Sequence, residues 1–149
     1  MKKLIIFLLA MVMMHAGALA SDDVWLSDFE QAKQQAKERN VPILADFAGS
    51  DWCGWCMKLD EEVFSREEFQ VYAKDNFVLF LADFPMRKKL DDNIVMQNSA
   101  LQSQYGIQGF PTVLLLDSEG KVLGRTGYRS GGAESYVEHL ENLLQDSKS

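Results

Sequence analysis

The chain is predicted to fold as an α/β domain, a central mixed β-sheet flanked by helices on both faces. Three observations carry that prediction. Ile43 to Phe47 and Phe77 to Asp83 are apolar almost throughout, as strands buried on both sides are. Helical patterns lie between these runs, which implies parallel pairing. Late in the chain, Thr112 to Asp117 and Val122 to Gly127 flank Ser118-Glu119-Gly120, a β-hairpin signal that adds an antiparallel edge.

Residues 1–20 stand apart from this domain. Lys2 and Lys3 open a short positive segment, Leu4 to Met14 is apolar, and Ala18-Leu19-Ala20 offers the small-x-small pattern of a cleavage site. A retained membrane anchor is the competing reading. A span needs about 20 apolar residues, whereas this run soon meets His15 and Gly17. With no cysteine near the cut for a lipid and no Arg-Arg pair, general secretion is the expected route. The expected organisation is a signal peptide at 1–20 and one domain at 21–149, delivered to the periplasm or secreted.

Within the domain, Val24 to Leu26 can add a leading strand. Ser27-Asp28-Phe29-Glu30 reads as a capping box opening a helix to Arg39, which Asn40-Val41-Pro42 breaks. After the first buried strand, Gly49-Ser50-Asp51 is a turn, and Cys53 to Phe64 reads as a helix. Ser65-Arg66-Glu67-Glu68 is a second capping box, opening a helix to Asp75. Phe84 to Gln97, with Pro85 and the charges of Arg87-Lys88-Lys89 and Asp91-Asp92, is expected to be a solvated loop with at most a helical turn. A short helix from Ser99 to Tyr105 should end at Gly106 in a left-handed cap. The last helix, Ala133 to Gln145, gathers Tyr136, Val137, Leu140, Leu143 and Leu144 on one face. Trp25, Phe64, Phe69 and Tyr72 are expected in the core.

With 22 acidic against 15 basic residues, the net charge is −7. That balance argues against nucleic acid and anionic membranes as partners, since both reward clustered Lys and Arg. Exported proteins commonly use cysteines as structural staples. Here there are only two, Cys53 and Cys56. Closing so short a loop restrains the unfolded chain little, so the pair is kept for chemistry.

At the start of a helix, Cys53 meets unpaired backbone N–H groups and the positive end of the helix dipole. Lowering its pKa from about 8.5 to about 7 raises the thiolate fraction at neutral pH roughly sixteen-fold. The loss of nucleophilicity returns a factor of about five, so the net gain in rate is only about threefold. The larger advantage is Cys56, an intramolecular resolving thiol at high effective concentration. Cys53 would attack a substrate disulfide, and Cys56 would then attack Cys53 to release the substrate as a thiol. A metal site is the rival reading. Structural zinc takes four ligands, and the chain offers only His15 and His139 besides this pair, although copper(I) can bind two thiolates.

Trp52-Cys53-Gly54-Trp55-Cys56 resembles the active-site motif of the thioredoxin family, and Tyr105-Gly106-Ile107-Gln108-Gly109-Phe110-Pro111-Thr112 looks like the family's cis-proline segment. The Gly49-to-Trp52 lead-in and the Lys58-to-Phe64 stretch look most like its periplasmic members, among them the C-terminal domain of DsbD and the DsbH-like proteins. The resemblance implies a thioredoxin fold and thiol–disulfide oxidoreductase activity, with no cofactor and no metal. It makes Cys53 the exposed nucleophile, Cys56 the more buried thiol and Phe110–Pro111 a cis bond beside them, with backbone free to pair with an extended substrate.

Asp46, inside an apolar strand, should have a raised pKa and could take the proton of Cys56. The match there is looser: the spacing to Cys53 is one residue longer than in thioredoxins, and the lysine expected on the next strand is missing. Trp55, between the cysteines, is the candidate substrate contact, whereas Trp52 reads equally as packing. Lys58 is either an electrostatic support for the Cys53 thiolate or a solvated helix residue. With no histidine between the cysteines, reduction or isomerisation is favoured over oxidation. Expected partners are protein thiols and disulfides and a membrane or soluble redox protein, with the chain itself a monomer. The competing class is a binding module or chaperone that uses the apolar surface around Trp55 and Pro111.

Overall fold

A computed structural model describes residues 24–149; the expected leader at 1–20 lies outside them. The chain runs β1 (Trp25–Leu26), α1 (Phe29–Arg39), β2 (Ile43–Ala48), α2 (Gly54–Leu59), a π-helical turn (Asp60–Phe64), α3 (Glu67–Asn76), β3 (Val78–Asp83), α4 (Asp92–Gln104), β4 (Thr112–Leu116), β5 (Val122–Thr126) and α5 (Gly132–Asp146). The sheet order is β1-β3-β2-β4-β5. β1, β3 and β2 are parallel, while β4 runs antiparallel to both β2 and β5. This is the mixed sheet expected.

β2 explains the layering. All six of its residues are buried, and alternate side chains enter opposite cores. Ile43, Ala45 and Phe47 pack with Phe29, Ala32 and Ala36 of α1 and Leu101 of α4. Leu44 packs on the other face with Leu59, Val63, Phe69, Tyr136 and Leu140. Of the four expected aromatic core residues, Phe64 and Phe69 are buried, while Trp25 and Tyr72 pack half-buried against that second core.

Several boundaries differ from expectation, each for a local reason. Asp28, not Ser27, caps α1: its carboxylate accepts the Gln31 N–H at 2.9 Å. The second expected capping box does not form, because the Ser65 hydroxyl turns back to donate to Asp60 at 3.0 Å and Arg66 starts α3 without a side-chain cap. The helix expected over Cys53 to Phe64 begins one residue later and changes to π-helical winding at Asp60.

The largest difference is α4, which starts at Asp92, inside the expected loop. Only Asn98 and Leu101 of this helix are buried, so it has no broad apolar stripe to reveal it. Amide side chains hold it instead. Gln97 accepts the Phe29 N–H and donates to the Ser27 carbonyl, both at 2.9 Å, and Asn98 donates to the Asp83 carbonyl at 2.9 Å. The end of α4 follows expectation. Gly106 has φ 60°, and the Ile107 N–H reaches the Gln102 carbonyl at 2.9 Å, the bond pattern of a left-handed cap.

The α1 cap gives a direct check. Asp28→Ala should cost about 1 kcal/mol in equilibrium urea unfolding, and Ser27→Ala only a few tenths of that. Equal losses would show that the cap is shared.

Candidate active site

β2 ends at Ala48, and the turn that follows delivers the cysteines. The Cys53 N–H bonds the Gly49 carbonyl at 2.9 Å and the Trp52 N–H bonds the same oxygen at 3.3 Å. Cys53 is the N-cap of α2, with extended backbone, and its Sγ accepts the Cys56 N–H at 3.2 Å. Sulfur therefore occupies the place where a capping oxygen would sit, at the positive end of the helix. Cys53 and Cys56 are joined as a disulfide with Cα atoms 5.3 Å apart.

One expectation is corrected here. Cys53 was expected to be the more open thiol, yet both cysteines are 6 % exposed. In the bonded state the two sulfurs shield each other, and Leu81 and Phe110 pack against the pair over Ala48.

The structure gathers Cys53, Cys56 and Phe110 into one cluster, and the Phe110–Pro111 bond is cis. Trp52 and Trp55 have different neighbours. The Trp52 ring meets Phe110 edge-on at 5.9 Å, and its Nε1 donates to the Phe84 carbonyl at 2.7 Å. This ring lies so close over Gly49 that a Cβ there would fall 2.3 Å from it, so Trp52 is a packed wall.

Trp55 is 58 % exposed and leans on Tyr128 at 4.9 Å. Lys58 lies 5.3 Å from both of those ring centroids and 3.7 Å from Glu62, which accepts the Tyr128 hydroxyl at 2.7 Å. Its ammonium is thus engaged by this aromatic–acid cluster beside Trp55.

Asp46 is buried in the middle of β2, paired with Leu81 and Val113. It points to the same face as Ala48, two residues on, which packs against both sulfurs. Burial, with smaller repulsions from Asp60 and Asp83, lifts its pKa to about 7. Its Oδ1 has no hydrogen-bond partner. A carboxyl left in this state changes protonation near neutral pH, the property a proton acceptor needs.

A second acidic group escaped the sequence reading. The Asp51 carboxylate accepts the N–H groups of Met86, Arg87 and Lys88 at 2.8, 2.7 and 2.9 Å. The Met86 bond, followed by the other two, holds this carboxyl below its usual pKa. Beside it, Asp83 accepts the Ser50 N–H at 3.0 Å, the Ser50 hydroxyl at 2.7 Å and the Lys88 ammonium at 2.7 Å. The only hint in the sequence was that both acids border elements rather than lie in open loop. Among the described residues, no three His, Cys, Asp or Glu side chains are placed to share a metal ion. His139 instead pairs with the Thr126 hydroxyl at 2.8 Å.

The Asp46 environment has a consequence for stability. Its pKa rises from 3.8 to about 7 on folding, so between those values the folded state binds the extra proton. Stability from this group is present in full below pH 4 and is lost as pH rises towards 7. Asp46→Asn should therefore stabilise the protein at pH 8, by on the order of 3 kcal/mol, and far less at pH 4. Urea unfolding at the two pH values measures the difference; equal shifts would show that Asp46 is not held protonated.

Comparison with known proteins agrees with this geometry. Residues 29–143 match the model of the thioredoxin-like domain family. The disulfide bond reductase DsbH of Chlamydia pneumoniae is 31 % identical over 127 residues, covering 85 % of this chain and 76 % of that protein. The thiol:disulfide interchange protein DsbD of Cronobacter sakazakii is 31 % identical over 123 residues; the match takes in 80 % of this chain but only 19 % of DsbD. A solved structure described as a DsbH oxidoreductase superposes with a TM-score of 0.78 at 32 % identity, covering 81 % of this chain and 83 % of that one. With the fold, the bonded cysteine pair and these relatives in agreement, the chain belongs to the thioredoxin-like family as a thiol–disulfide oxidoreductase.

Proposed function

We propose that the chain is exported through cleavage after Ala20 and acts in the periplasm, or outside the cell, as a reductase or isomerase of protein disulfides. The observation that carries the reading is the seat of Cys53 Sγ, which caps α2 and accepts the Cys56 N–H while bonded to Cys56. Once the pair is reduced, that seat favours a thiolate at Cys53.

The cycle then balances. A redox partner, membrane-bound or soluble, supplies two electrons and two protons to the disulfide. The Cys53 thiolate attacks a substrate disulfide, forms a mixed disulfide and releases one substrate thiol. Cys56 loses its proton to Asp46 and attacks Cys53 Sγ, which expels the second substrate sulfur as a thiolate and restores the Cys53–Cys56 bond; the proton held by Asp46 then passes to that thiolate or to water. Pro111 and Phe110 receive the substrate backbone beside the sulfurs, and Trp55 offers an exposed apolar contact. The 31 % identity to a protein named as a disulfide bond reductase supports the reducing direction. So does Gly54-Trp55 between the cysteines, which provides no histidine to stabilise the thiolate further.

Insulin reduction in the presence of dithiothreitol tests the chemistry. Wild type should accelerate precipitation, Cys53→Ser should match buffer, and Cys56→Ala should accumulate mixed disulfides. If wild type also matches buffer, the chain is a binding module that uses the apolar surface at Trp55. A glutathione titration tests direction: a potential below roughly −200 mV supports reduction, and one near that of DsbA would reverse it. Mass analysis of the exported protein should find Ser21 at its start.

A further inference from the structure

Trp55 takes no part in the buried cores described above, yet its ring is held from outside α2. Tyr128, in the connection from β5 to α5, packs on the indole with ring centroids 4.9 Å apart. Lys58 follows Trp55 by three residues on the same helix face, and its ammonium stands 5.3 Å from both ring centroids. Glu62 closes the group. It accepts the Tyr128 hydroxyl at 2.7 Å and lies 3.7 Å from the Lys58 ammonium.

Core packing does not require this group. Lys58, Glu62 and Tyr128 border a surface cleft of about 660 Å³ that reaches Glu134 at the start of α5. Ordering a lysine and a glutamate at the surface costs side-chain entropy and returns little stability. The backbone beside Tyr128 shows what the arrangement connects. Gly127 is anchored twice: its carbonyl accepts the Tyr136 hydroxyl at 2.9 Å, and a Cβ in its place would fall 3.0 Å from the Pro111 carbonyl oxygen. Tyr128 thus ties the indole between the cysteines to the backbone of the cis-proline.

We propose that Tyr128, supported by Lys58 and Glu62, is a positioning residue that sets the stance of Trp55 relative to Pro111 for polypeptide disulfides. The proposal rests on the redox reading above and deepens it from chemistry to substrate class. An extended segment arriving at Pro111 meets an aromatic wall already in place, so less ordering entropy is lost when it binds. A small disulfide reaches only the sulfurs and does not use the wall.

The test follows insulin and hydroxyethyl disulfide with wild type, Tyr128→Ala, Trp55→Ala and the double variant. Tyr128→Ala should raise the KM for insulin about fivefold, with kcat held and turnover of the small disulfide unchanged. Because Tyr128 acts through Trp55, it should add nothing to Trp55→Ala. A double variant whose loss is the product of the two single losses overturns the proposal. Equal losses on the two disulfides overturn it as well, since they place the effect at the sulfurs. Lys58→Met should share the loss, and Lys58→Arg, which keeps a cation beside both rings, should restore it. Circular dichroism checks folding; if Tyr128→Ala does not fold, Tyr128→Phe and Lys58→Met carry the same comparisons.

Two readouts stand apart from turnover and separate this proposal from the redox reading. Acrylamide quenching of Trp55, taken as the difference from the Trp55→Phe form of each protein, should be faster in Tyr128→Ala than in wild type. Calorimetry with alkylated, disulfide-free insulin B chain should give a Kd about fivefold higher in Tyr128→Ala. A wild type that reduces neither disulfide sinks the redox reading, while these two shifts would keep the positioning role. Unchanged quenching or an unchanged Kd overturns that role even if wild type is an active reductase.

Discussion

The site depends on β2 being bonded along both edges and buried on both faces. A strand paired to β3 and β4 at once has no freedom to shift its register. Its last residue, Ala48, supports the two sulfurs, and the next four form the turn into α2. The sulfur that opens the helix therefore follows a strand held on both edges and both faces, while its surroundings are left to loops. Rigid scaffold below and adaptable surface above is an arrangement that keeps reacting atoms in place.

The acidic groups around that strand have divided roles set by their surroundings. Asp46 is buried with an unpaired oxygen, which favours its protonated form. Asp51 sits at the surface and collects three N–H groups, which favours its ionised form. Two carboxyls five residues apart in the chain are thus driven in opposite directions. Burial of the first weakens the fold at high pH, a cost that a purely structural design would avoid by placing an apolar residue there. Tyr136, whose phenol is held above its usual pKa by burial and then by Asp46, lies on the same side and donates to the Gly127 carbonyl at 2.9 Å.

The two tryptophans divide the surface around the disulfide. Trp52 packs over Gly49 and against Phe110 and bonds the Phe84 carbonyl, although 39 % of it stays exposed. Trp55 is open to solvent and steadied by Tyr128 and Lys58. The π-helical winding at Asp60–Phe64 follows directly from α2 and places Glu62 to complete that second cluster. Each tryptophan thus has its own neighbours to orient it.

Local pattern alone determined the layered architecture. Apolar runs of strand length, the amphipathic face of α5 and the left-handed cap at Gly106 depend on near neighbours and can be read without the fold. The cysteine spacing likewise carried the chemistry, because a helix brings residues three apart together wherever it is placed. Tertiary structure decided the rest. The extent of α4 was hidden because Gln97 and Asn98 bind backbone from distant segments, and no periodicity records that. The choice of Asp28 over Ser27 as cap, the burial of Cys53 beside Phe110 and the clamp from Asp51 to residues 86–88 all join groups that only folding brings into reach. Short-range geometry is written residue by residue, whereas a hydrogen bond across some thirty-five residues exists only once the sheet has set both of its ends.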